Sequence, residues 1–216
     1  MREFGIFDVL TMLWAVQWTA ALVVIALVFG APLGLLLAQM RTSGNKVLNL
    51  IALCILQIVQ GVPLLAMLMF FYFGMPMFLG VQLPALVSVG VVFSIFTAAF
   101  LGEIWRGGIQ AVHTAQSEAA ACLGLTKWQG FRYVVAPQAF KIALPATVGF
   151  LVQLIKNTSL ASVVGFVELA RAGQLASAAT FQPLMSYACV AAIYFAICFP
   201  LTHWSRSLEN KLNGAR

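Results

Sequence analysis

The sequence predicts an all-α integral membrane protein of about five transmembrane helices, folded as a single domain over residues 1–216. Three observations carry this. Of the 216 residues, 62% are hydrophobic and only 8% are charged, and the mean hydropathy is +0.97. A soluble domain has about 25% charged residues to wet its surface, so lipid must be the solvent here. The apolar residues also gather into stretches near the roughly 20 residues that a spanning helix needs. Proline, glycine and basic residues punctuate the gaps between those stretches.

The first span is placed at about 11–40. Arg2 ahead of it is offset by Glu3 and Asp8, and the apolar run exceeds the ~7–15 residues of a signal core, so no cleavable signal is expected. This span is longer than a bilayer needs and should tilt or project. The second is placed at 48–73 and the third at 84–106, with Pro76, Gly80 and Pro84 marking a short turn over 74–82. The fourth, at 139–155, is crowded by Gly149, Gln153 and Lys156. Residues 157–182 are apolar but interrupted, and read as an outer gate or re-entrant segment of short helices lining a cavity. The fifth span is placed at 184–204.

Basic residues orient these spans. Arg41 and Lys46 follow the first, Lys127, Arg132 and Lys141 follow the third, and Arg206, Lys211 and Arg216 in the tail outnumber Glu209. No charge lies in 74–82. Lys and Arg are retained in the cytoplasm, so the N-terminus is expected outside and the C-terminus inside. The net charge of +6 therefore reports topology, and no nucleic-acid partner is expected.

Catalysis finds little support. The six acids, Glu3, Asp8, Glu103, Glu118, Glu168 and Glu209, share no short motif, which argues against a membrane enzyme acting on lipids. His113 and His203 are too few for a metal site, and Cys54, Cys122, Cys189 and Cys198 read as small buried or lipid-facing side chains. No catalytic residue and no metal is expected. Gly30 and Gly34, flanking Pro32, form a G-x-x-x-G pair that lets two helices approach closely, within one subunit or between two. Glu103 and Arg106 are spaced to pair on one helix face, as a structural ion pair or a functional one inside the membrane.

Residues 114–137 carry the most information. Thr114 or Ser117 can cap a helix whose first turn then holds Glu118 at the favourable end of the dipole. Small residues follow through Ala119, Ala120 and Ala121, and Gly124 supplies a stop. Lys127, Trp128 and Phe131 fall on a second short helix, and Pro137 precedes the next span. This describes a compact pair of helices suited to docking, or an ordinary connector.

The same run resembles the E-A-A loop of bacterial ABC importer permeases, Glu-Ala-Ala, three residues, Gly, nine residues, Ile-x-Leu-Pro. Glu118, Ala119, Ala120, Gly124 and Pro137 match in register, with Val134 and Ala136 replacing the Ile and Leu. Gln60–Leu65, Glu103–Ile109, Pro137–Phe140 and Lys156–Leu160 are similar to stretches of the branch that takes up polar amino acids. Gln60 stands where that branch usually has Arg, and Asn157 where it has Asp, so each departure removes a charge.

The resemblance implies an ABC importer permease-like bundle in the cell inner membrane, carrying an amino acid across it. The docking loop would couple to a cytosolic ATP-binding subunit, present in two copies. A second permease subunit, identical or homologous, an extracytoplasmic solute-binding protein and membrane lipid complete the implied partners. The chain has no G-x-x-x-x-G-K-[ST] phosphate loop, so it is not expected to be an enzyme or to bind a cofactor, with ATP and Mg²⁺ held by the ATPase. The alternatives are the same importer class with another small solute, or an ion-coupled secondary carrier. An amino-acid zwitterion needs both its charges answered away from bulk water. Gln60, Gln153, Lys156, Asn157, Thr158, Ser159 and Glu168 are the candidates for that path, or else residues that snorkel or end a helix.

Overall fold

A computed structural model describes residues 2–80 and 83–213. The expected turn residue Gln82 and the tail residue Arg216 lie outside the described residues. The described chain is helical nearly throughout, with no strand.

Helix α1 spans Ile6–Thr42 and starts at Gly5, whose N–H donates to the Asp8 carboxylate at 3.0 Å. Asp8 is buried and also ion-paired with Arg2. Asn45 then caps α2, Lys46–Gly61, by accepting from the Val47 and Leu48 N–H groups. The second expected span, 48–73, is not one helix. Val62 is extended ahead of Pro63, as the residue before a proline prefers. The chain resumes as α3, Leu64–Met69, a π-helical turn, Phe70–Gly74, and α4, Met75–Leu79. The two halves meet at 94°.

Helix α5, Ala85–Gln110, is the most buried of the long helices and the centre of the bundle. It lies beside α1 along Gly30 and Gly34. A Cβ on Gly30 would stand 2.6 Å from the Ser94 carbonyl, and one on Gly34 would stand 2.9 Å from the Ala98 carbonyl. The G-x-x-x-G pair is therefore filled by this chain's own α5. The register, with Gly30 against Ser94 and Gly34 against Ala98, makes α1 and α5 parallel. The bent pair between them must carry the chain back across, so the four long apolar helices and the bent pair give five crossings.

Helix α6 spans Thr114–Cys122, and α7 spans Lys127–Gly130. A π-helical turn, Phe131–Val135, joins α7 to α8, Ala136–Asn157. The expectation of a separate short helix before Pro137 is corrected here: residues 127–164 run on as one helical stretch. Proline has no N–H to give its own helix. The widened turn, with the Ala136 N–H reaching back to the Phe131 carbonyl, lets the helix pass without a break. The first π-helical turn likewise sits just ahead of Pro76.

Beyond α8 come a 3₁₀ segment, Thr158–Val164, a left-handed Gly165 at φ 82°, and α9, Leu169–Thr180. Helix α10, Pro183–Asn213, closes the fold and runs antiparallel to α8: the Ser205 hydroxyl donates to the Pro145 carbonyl at 2.9 Å, while Lys156 at the other end of α8 shares a groove with Tyr194 and Cys198. The main core gathers Leu22, Phe93, Leu101 and Leu154 around α5, and a smaller one joins Met12, Leu169, Ala176 and Val190 at the opposite end from α6. Large apolar side chains elsewhere are exposed, including Trp14, Phe29, Ile58 and Phe195, as a lipid-facing surface requires.

Candidate docking helix and solute path

The end of the bundle where α1 and α5 finish carries α6. His113, and not Thr114 or Ser117, caps it: the imidazole Nδ1 accepts from the Ala115 N–H at 3.2 Å. Starting at Thr114 puts Glu118 beyond the first turn, so the expected dipole contact is not made. Helix α6 ends where the Leu125 N–H reaches the Ala120 carbonyl and Gly124 adopts φ 75°. A left-handed residue after a helix, with a long-range closing bond, satisfies otherwise free carbonyls. Ala120 is buried against Gly130 of α7, while Glu118 and Ala119 are exposed and Leu123 is 81% exposed. A thin, small-residue face is thus pinned down on one side and free on the other. Pro137 stands at the first turn of α8, close to the Gln138 side chain that donates to Gln116 of α6 at 3.3 Å.

Glu103 and Arg106 are ion-paired near the same end, and Arg106 also donates to Gln110. All three lie on α5, so the pair is a local one along its own helix.

The seven solute-path candidates do not come together in one place. Lys156 and Ser159 line a groove of about 670 Å³ between the end of α8 and α10. Gln153 is exposed beside them, in a smaller adjoining hollow with Lys156 and Arg206. Asn157, half-buried, ends α8. Thr158 is fully buried and its hydroxyl bonds the Ile155 carbonyl at 2.7 Å. Glu168 is fully buried and caps α9, accepting from the Ala170 and Arg171 N–H groups at 2.8 Å each and from the Tyr194 hydroxyl at 2.9 Å. Gln60 lies apart, donating to the Ala99 carbonyl at 3.2 Å and tying α2 to α5.

Sequence reasoning passed over α10, which supplies the groove's other wall: Tyr194, Phe195, Phe199, His203 and Arg206. Phe195, Phe199 and His203 stack in series, with ring centroids 5.1 and 6.4 Å apart. Their spacing of four residues in an apolar helix was the available signal. Among the described residues no His, Cys, Asp and Glu group is placed to hold a metal.

Five apolar crossings, an exposed small-residue helix at one end and a groove opening between two spans describe a multi-span membrane protein. Residues 30–214 match the model of the family described as the binding-protein-dependent transport system inner membrane component, and the chain belongs to that family. It is 34% identical to the glutamine transport system permease protein GlnP of Escherichia coli over 190 residues, covering 88% of this chain and 87% of the relative. It is 33% identical to the arginine transport system permease protein ArtQ of Bacillus subtilis over 194 residues, covering 90% and 89%. Among solved structures it is similar to an amino acid ABC transporter, with a TM-score of 0.85 and 32% identity over 93% of this chain and 94% of the other. The fold is also that of the MetNI methionine ABC transporter, at a TM-score of 0.67, 20% identity, and 94% of each chain. The protein is accordingly a multi-pass component of the inner membrane.

Proposed function

We propose that this chain is the membrane-spanning permease subunit of an ATP-driven importer for amino acids. The observation that carries the reading is the likeness, over nearly its whole length and at a TM-score of 0.85, to a chain of an amino acid ABC transporter. Helix α6 is the docking element for a cytosolic ATPase, through Glu118, Ala119 and Ala120, with Gly124 setting its end and Pro137 the start of α8. ATP and Mg²⁺ belong to that ATPase, and this chain binds neither. Two permease subunits enclose the path, because the groove along α10 is open on one side in a single chain. A solute-binding protein delivers cargo to the end opposite α6. In this arrangement the α6 end, with Arg41, Lys127 and Arg132, faces the cytoplasm, and the N-terminus faces outward.

The test is uptake into proteoliposomes holding the permease with its ATPase, with ATP enclosed and binding protein outside. Labelled amino acids should accumulate only with ATP. Equal accumulation driven by a proton or sodium gradient without ATP would overturn the reading in favour of a secondary carrier.

A further inference from the structure

The groove between α8 and α10 has a one-sided charge. The Lys156 ammonium, the Arg206 guanidinium and the His203 imidazole all open into it, and no carboxylate lines it. Each of the chain's six acids is occupied or elsewhere. Asp8 is paired with Arg2, and Glu103 with Arg106. Glu3 precedes α1, and Glu118 is on α6. Glu168 lies behind the groove wall, fully buried, with its oxygens taken by two backbone N–H groups and Tyr194. Glu209 is the nearest acid along α10. It lines a separate hollow with Ile142 and Pro145 and makes no ion pair with Arg206. Among the described residues, Lys156 and Arg206 have no carboxylate partner.

Cations gathered in one groove with no partner favour an occupant of opposite charge. A cargo with a cationic side chain would add a third positive charge to this groove. A cargo with a second carboxylate would neutralise it. Its ammonium needs only neutral acceptors, which the Ser159 and Thr202 oxygens supply on the same walls. We propose that this groove is a binding site for amino acids with acidic side chains, such as glutamate and aspartate, with Lys156 and Arg206 receiving the two carboxylates. The proposal rests on the permease reading above.

The experiment measures equilibrium binding of labelled glutamate to the purified permease–ATPase complex without binding protein, in nanodiscs of phosphatidylcholine. Binding should be displaced by aspartate, more weakly by glutamine, and not by arginine or lysine. Lys156→Gln and Arg206→Gln should each weaken it about tenfold or more, the scale of one lost charge-assisted hydrogen bond. Both side chains are exposed, and co-purification of the ATPase reports that the variants are folded. Arginine binding as tightly as glutamate overturns the charge argument and leaves the permease reading intact. No amino acid binding or transported overturns both. Unchanged affinity in both variants places the site elsewhere. Phosphatidylglycerol in the nanodisc displacing the label shows that the cations hold a lipid headgroup, and also overturns the proposal.

Discussion

Gly30 shows how little room a single side chain has in this bundle. A methyl group there would meet the Ser94 carbonyl at 2.6 Å and the Thr97 Cβ at 2.7 Å, both on α5. Backbone cannot retreat as a flexible side-chain tip can, so Gly30→Leu should separate α1 from α5. The expected outcome is a fall in the melting temperature of the detergent-purified chain, of the size of an overpacked core, about 1–3 kcal/mol or more. Glu168 makes a different kind of point. Glu168→Ala removes the cap of α9 and takes the acceptor away from the hydroxyl of half-buried Tyr194. A lost cap costs about 0.5–2 kcal/mol, and an unsatisfied buried group about 1–3 kcal/mol. Glu168→Gln keeps an acceptor oxygen and should destabilise less. Thermal unfolding of the two variants checks the order, and a larger loss in Glu168→Gln than in Glu168→Ala would contradict the capping role. The sequence made Glu168 visible as a candidate for the solute path but not as a cap. Its partner Tyr194 comes from α10, far away in the chain, and the start of α9 is further held by α1, where the Thr19 oxygen accepts from the Leu169 N–H at 3.3 Å.

At the scale of elements, apolar runs marked the spans well, because hydropathy and length are local properties. What proline does was harder to read. Pro63, with Val62 extended before it, breaks a span that composition alone joins. Pro137 was expected to separate two helices and instead sits in a continuous stretch, because a π-helical turn absorbs it. No local pattern distinguishes the two cases, since the outcome depends on whether neighbouring helices hold both halves in line. The end of α6 was legible through Gly124, whose left-handed backbone a glycine suits. Gly124→Leu should strain that turn and uncouple ATP hydrolysis from uptake, measured as hydrolysis per solute carried. Normal coupling in the folded variant would show that the turn does not transmit movement. Pro137→Ala restores an N–H and should let the π-helical turn relax to α. Losing one residue from the turn rotates α7 by about 100° relative to α8. Reduced uptake at normal thermal stability is expected, checked with the same proteoliposomes.

For the whole molecule, the parallel packing of α1 and α5 with a return between them predicts that residues 6 and 213 lie on opposite sides of the membrane. Which side is which comes from the basic residues alone. Single cysteines at position 43 and position 78, in a background lacking Cys54, Cys122, Cys189 and Cys198, test it. An impermeant thiol reagent added to intact cells should label position 78 and leave position 43 untouched, and the reverse pattern would invert the topology. The groove was only half legible. Lys156 and Ser159 announce themselves as polar residues near the end of a span. His203 and Arg206 read as the start of a basic tail until the antiparallel pairing of α10 with α8 brings them alongside.

The way α6 is attached has a mechanical consequence. Short connections tie its two ends to α5 and to the α7–α8 stretch, the first of which is itself locked to α1 through Gly30 and Gly34. A part fixed at one end swings like a flap and wastes much of a push. A part fixed at both ends behaves as a handle bolted across two beams. Force applied to α6 therefore enters α5 and α8 together and arrives as a shear between them. The groove on the far side of α8 widens or narrows according to which beam yields. The slender α10, with the least buried apolar surface of the long helices, is the member with most freedom to follow.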